Sequence, residues 1–327
     1  QDYTVEGFST VTWKGTGAEQ YIGGTGFQPD LTWIKNRGAG YSHVLANALS
    51  GSNKFLSSNG TGAEDTDSTK FQTFETDGFN VGTHAGVNSS SNTYVAWNWD
   101  MGGSNATNTD GSITSTVRAN PTYGQSIVSW TMPSSGSTTV GHGLNSTPEL
   151  IIQKRRDGTS NWSVYTATTG KDKKLLLHDT AASANSGDWD NTAPTSSLFT
   201  SWLVNGTADM IAYCFHSVTG YSKIGSYTGN GNATGPSVTT GFRPGFVMMK
   251  RTDDVSNWVI VDSVREASSS DEALFANLSQ GQETSYNVDF SDTGFQLKSS
   301  EGDFNTNNAN YIYMAFADKR EYAYWLD

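Results

Sequence analysis

Gly241-Phe-Arg-Pro-Gly-Phe-Val-Met-Met-Lys250 passes from a glycine turn through a proline into an apolar run that stops at a lysine. The phrase occurs twice earlier. Gly26-Phe27-Gln-Pro29 leads into Leu31-Thr-Trp-Ile-Lys35, and Gly143-Leu144 with Pro148 leads into Leu150-Ile-Ile-Gln-Lys154. Each lysine falls six residues after its proline. Proline has no amide hydrogen to give to a sheet, so it marks the turn and the residues after it form the strand. One such phrase would predict a strand; three predict a repeat.

The match extends outward from the lysines. Eight residues beyond them stand His43, Trp162 and Trp258, and further on come "KFLSSN", "KLLLHD" and "ALFANL". "TDGFNVG" in the first copy corresponds to "SDTGFQL" in the third, while the second has "FTSWLVNG". Each copy closes on an aromatic run: "YVAWNWD", "MIAYCFH" and "YIYMAFA". The division is repeat one over 1–100, a polar linker over 101–121, repeat two over 122–217, and repeat three with a C-terminal segment over 218–327. Short apolar or alternating runs between Gly, Asn, Asp and Pro clusters predict an all-β chain of three tandem antiparallel β-sandwich, jelly-roll-like modules of about 95 residues. Alternation along "YVAWNW" sends Val95, Trp97 and Trp99 to one face and Tyr94, Ala96 and Asn98 to the other. The expected result is one buried aromatic face per copy, and three private cores instead of a common interior.

Composition narrows the function. Of 327 residues, 35% are hydrophobic and 16% charged, with a formal net charge of −12. That sign repels a phosphate backbone, so nucleic acid is not an expected partner. No window approaches a membrane-spanning length, so no membrane insertion is expected. The lone Cys214 sits in an apolar run and reads as a buried thiol. No nucleophile elbow, zinc-binding HExxH, P-loop or dinucleotide fingerprint occurs. No catalytic residue, metal or cofactor is therefore assigned. The acid pairs Asp65/Asp67, Asp188/Asp190 and Asp253/Asp254 read as solvated loop carboxylates, with weak calcium binding or a glycosidase acid and nucleophile as the alternatives.

Two constellations remain. Lys35, Lys154 and Lys250, with Arg37, Arg155, Arg156 and Arg251 nearby, read either as long side chains snorkelling from strand ends or as a grip for an acidic sugar. Trp162 and Trp258, each preceded by an asparagine (Asn161 and Asn257), read either as core or as a platform on which a sugar ring stacks. The speculative glycan site thus comprises Trp162, Trp258, Asn161, Asn257, Lys154 and Arg156. His43 fits neither reading of the tryptophan position. His142, in "VGHGL", is expected to shape a turn.

The phrases "PELIIQKRRDGTSNWSVY", "TGYSKIGSYTGNG" with "GFRPGFVMMKR", and "DLTWIKNR" with "YVAWNWD" resemble a repeat domain of unknown function found in marine bacteriophage virion proteins, often tail fibre proteins. The resemblance spans nearly the whole chain. It implies a non-enzymatic virion component on the particle exterior, contacting other virion proteins and, as a tail fibre or adhesin, host surface glycans. The alternatives are a capsid decoration protein and a glycan-cleaving fibre enzyme. A homotrimer is the oligomer that the fibre reading brings with it.

Overall fold

A computed structural model describes residues 7–134, 136–203, 206–265 and 272–318. The described chain is nearly all β, in several antiparallel sheets, with helical turns only at Ala85–Asn88 and Gly302–Asn305. Each sequence repeat contributes the same four strands to a principal sheet. The opening strands are Phe8–Lys14, Gln125–Met132 and Ser222–Thr228; the lysine strands are Leu31–Asn36, Leu150–Arg155 and Phe246–Arg251. The return strands are Val44–Asn47, Ser163–Thr166 and Trp258–Asp262, and the closing strands are Thr93–Trp99, Ala208–Phe215 and Asn310–Phe316. In every repeat the closing strand lies between the opening and lysine strands, with the return strand beyond.

The registers show that the repeats are equivalent residue by residue. Leu31 faces Trp99, Leu150 faces Phe215 and Phe246 faces Phe316. The lysines and the His43, Trp162 and Trp258 positions therefore correspond. A smaller sheet or hairpin accompanies each principal sheet, and Phe79, Phe199 and Phe295 occupy matching places in it, paired with Ile22, Val140 and Val238. The second repeat thus keeps this phenylalanine although it lacks the "DGF" phrase. Gly78 and Gly294 precede two of these phenylalanines, and a Cβ there would come within 2.0 Å of the Ile22 or Val238 carbonyl oxygen. In the second repeat Leu198 takes the corresponding position, paired with Gly141.

Two expectations need correction. Residues 101–121 do not cross the surface as a linker: Ala106–Asn108 and Ser115–Asn120 pair as strands and extend the second principal sheet to eight. Met101 is buried in the interior, and Arg118 pairs with the buried Asp30 of repeat one. Nor does each repeat bury a single face. The closing strands put Tyr94 and Ala96, Met210, Ala212 and Cys214, and Tyr313 and Ala315 into three private cores, each shared only with that repeat's small sheet. Their opposite faces, Val95, Trp97 and Trp99, Ile211, Tyr213 and Phe215, and Ile312, Met314 and Phe316, meet in one common core.

That common core draws on all three repeats and is the largest apolar cluster of the described residues. The equivalent residues Trp99, Phe215 and Phe316 touch pairwise, with ring centroids 6.4, 5.7 and 5.6 Å apart. Three related side chains in mutual contact mark the line about which the repeats gather. Strands apolar on both faces are what a sheet covered on both sides requires.

Candidate functional site

The shared lysines end on the common-core face of their strands. All three are fully buried. Lys35 Nζ donates to Asn36 O at 2.7 Å and Ala39 O at 3.4 Å, and Lys154 Nζ makes the equivalent bonds to Arg155 O and Gly158 O. Lys250 Nζ donates to Arg251 O and, across the boundary with repeat two, to Thr180 O at 3.2 Å. Burial pulls each pKa down to about 8, helped at Lys35 by the Arg265 charge and at Lys154 by Arg155. These ammonium groups tie loop carbonyls. They neither snorkel nor offer a grip to a sugar.

The next position joins neighbouring repeats. Trp162 Nε1 of repeat two donates to Ser57 O and Gly60 O of repeat one, at 2.9 and 3.1 Å. Trp258 Nε1 of repeat three donates to Leu176 O of repeat two at 2.8 Å. His43 closes the ring: its Nε2 lies 2.9 Å from Phe275 O and 3.1 Å from Leu278 O of repeat three. Trp33 Nε1 donates to His43 Nδ1 at 2.8 Å, which makes Nδ1 the acceptor and places the imidazole proton on Nε2. Complete burial, with the nearby Lys35 charge, depresses the His43 pKa to about 3. The imidazole is therefore neutral and does the work of an indole N–H.

The same ring runs through the backbone. Glu64 N bonds Arg156 O, Ser183 N bonds Thr252 O and Gln282 N bonds Arg37 O, at 2.8, 2.9 and 2.8 Å. The partners Arg37, Arg156 and Thr252 each stand two residues beyond a shared lysine.

The speculative glycan site does not assemble. Trp162 and Trp258 are buried to 0% and 1% exposure, so neither presents a ring face to a sugar. Asn257 holds Asp303 and Asn277. Asn161 alone of the six is on the surface. Arg156 makes a bidentate pair with Glu64 of repeat one, at 3.0 and 2.9 Å, and reaches Ser129 Oγ. Arg37 crosses from repeat one to repeat three, giving one bond to Glu272 at 2.7 Å and one to Gln282 at 2.9 Å. Of the acid pairs, Asp188 is held by Lys174, Ser163 and Ser186; burial opposes its ionisation, but these hydrogen bonds outweigh it and keep the carboxyl below its usual range. Asp253 pairs with Arg251. His142 accepts the Leu144 amide at Nδ1 and so shapes its turn. Cys214 is buried, and burial pushes its thiol pKa far up against the weaker effect of Ser126. Among the described residues no group of three or more His, Cys, Asp or Glu is placed to share a metal ion, and no helix is long and apolar enough to cross a membrane.

The boundary between repeats two and three differs from the others. Thr252 stands where the other two have arginine, and a polar cleft of about 600 Å³ opens there. Its walls carry Thr168, Lys173, Tyr227, Thr228 and Asn310. The comparison "K-N-R, K-R-R, K-R-T" contains the signal, which is legible once the lysines are superposed. Lys173 and Tyr227 carry no comparable signal.

No curated protein matches the chain. Residues 4–320 match, as one unit spanning all three repeats, a family described as a domain of unknown function, DUF7483. The chain therefore belongs to the DUF7483 family.

Proposed function

We propose that the protein is a non-enzymatic structural component of a bacteriophage virion, a tail-fibre or adhesin segment on the particle exterior that meets host surface glycans. Its repeats serve as three sandwich-like modules fused about one interior. The observation that carries this reading is the fate of the ionisable residues common to the repeats: Lys35, Lys154 and Lys250 are buried and tie carbonyls. Conserving a charge in every module for joinery is the economy of a rigid body, and catalysis would instead need such groups to converge on an open site. Three related faces around one line also let a single chain present what a trimer of smaller chains would, in contact with other virion proteins.

A capsid decoration protein is the second reading, favoured by the ring of equivalent boundary bonds, which matches the three-fold sites of a capsid surface. Immunogold labelling of intact bacteriophage particles whose genome encodes the protein tests both. Label at the tail tip is expected; label over the capsid selects decoration, and particles without label overturn the virion assignment. Incubation with host polysaccharide should release no new reducing ends, and their appearance would make the protein an enzyme.

A further inference from the structure

At two of the three boundaries an arginine crosses to the neighbouring repeat. Arg156 lies against Ser129 and Glu64; Arg37 reaches Glu272 and Gln282. The boundary between repeats two and three lacks both halves of this plug, because Thr252 stands at the arginine position and Ser183 stands where repeat one has Glu64. Ser226, the counterpart of Ser129 by strand register, consequently lines open space.

The cleft has a definite chemistry. Tyr227 stacks in parallel on the buried Tyr311, with centroids 5.0 Å apart and planes 6° apart, while remaining only half-buried itself. Its hydroxyl is fixed by Phe304 O at 2.7 Å. Tyr227 lines the cleft together with the hydroxyl-bearing residues Thr168, Ser226 and Thr228. Lys173 is part of the same lining, and among the described residues its ammonium has no hydrogen-bond or ion-pair partner. The one carboxylate in the lining, Asp253, is already engaged by Arg251 Nε at 2.6 Å and Asn310 N at 3.1 Å. A volume of about 600 Å³ is in the range of small-ligand clefts.

We propose that this cleft binds an oligosaccharide bearing a carboxylate, with the hydroxyl-bearing residues and Asn310 meeting the sugar hydroxyls, Tyr227 meeting a ring face, and Lys173 meeting the acid. The proposal rests on the glycan-contact reading above and gives it a site and a ligand class. A ring of apolar C–H faces and polar edges suits an aromatic border with hydroxyls around it. An unpaired ammonium selects the anionic sugar over a neutral one of equal size.

Isothermal titration calorimetry of the full chain with a hyaluronan tetrasaccharide, against neutral chitotetraose, tests it. Saturable binding of the acidic probe is expected, weakened roughly tenfold, about 1.4 kcal/mol, by Lys173→Gln. Ser183→Glu combined with Thr252→Arg rebuilds the plug of the first boundary and should abolish binding; Lys173→Gln, at a surface position, keeps the test open if that pair fails to fold. Equal binding by wild type and both variants, equal binding of the neutral probe, or no saturable binding to wild type each overturns the proposal. Host-cell attachment separates it from the reading it rests on. Wild type and plugged variant attaching equally would retain surface contact and remove the cleft, whereas sugar binding without any attachment would retain the cleft and remove the adhesin.

Discussion

His43 shows how one position can differ in residue and agree in function. In repeat one His43 touches Trp33 of the lysine strand, and in repeats two and three the residues matching Trp33 are Ile152 and Met248. A large residue beside a small ring in one repeat exchanges with a smaller residue beside an indole in the others. His43→Trp alone should therefore overpack and destabilise by about 1–3 kcal/mol. Adding Trp33→Ile should recover most of that loss in urea unfolding, since residues in contact couple; simple addition of the two single effects would show that they do not share the space. Titration gives a second test. The lysine pKa values sit near 8 in the folded protein against an ordinary 10.5, so between those values the unfolded chain holds protons the folded chain has shed. Stability then rises with pH, and the melting temperature should climb from about pH 7.5 to about pH 9.5, flattening when the lysines are replaced by methionine. Above the ordinary tyrosine pKa of 10 the buried Tyr221, whose phenol burial keeps neutral, pulls the other way. His43, depressed from 6.5 to about 3, makes stability fall as pH drops through that interval. The sequence marks these residues by position. It does not say that carbonyls of another repeat wait for His43, Trp162 and Trp258, because those partners lie between 82 and 235 residues away in the chain.

At the scale of the strand, spacing alone places the lysine, return and closing strands, and the registers match across repeats. Two elements differ from the sequence expectation for physical reasons. Residues 101–121 are polar because their strands lie towards a sheet edge with one face outward, as the alternating burial of Ser115–Arg118 shows, and such polarity resembles that of a linker. The closing strands hold apolar residues at nearly every place, "YVAWNW", "MIAYCF" and "YIYMAF", and a run without alternation signals cover on both faces. The aromatic face alone accounts for one core, and the opposite face of each closing strand packs in a second. The return strand gives the sharpest test of which role Trp258 plays. Trp258→Ala should cost roughly 3–5 kcal/mol in denaturant unfolding, by loss of packing in the common core and of the bond to Leu176 O. An unchanged midpoint with altered sugar binding would mean that the indole is not structural.

Across the whole molecule, the three repeats are neither independent beads nor one undifferentiated barrel. Each has a private core, and all give their opposite sheet faces to the common one, where Trp99, Phe215 and Phe316 meet. Their number and equivalence are legible in the sequence, whereas their fusion is not, because internal similarity says which residues correspond and nothing about which surfaces touch. A repeat cut out at its boundary would expose a large apolar sheet face, a condition that single soluble domains avoid. The fusion should therefore make unfolding cooperative throughout the chain. Differential scanning calorimetry of the full protein measures this most directly: a single transition with a calorimetric-to-van 't Hoff enthalpy ratio of about one is predicted, and a ratio near three, or three resolved transitions, would contradict a common interior.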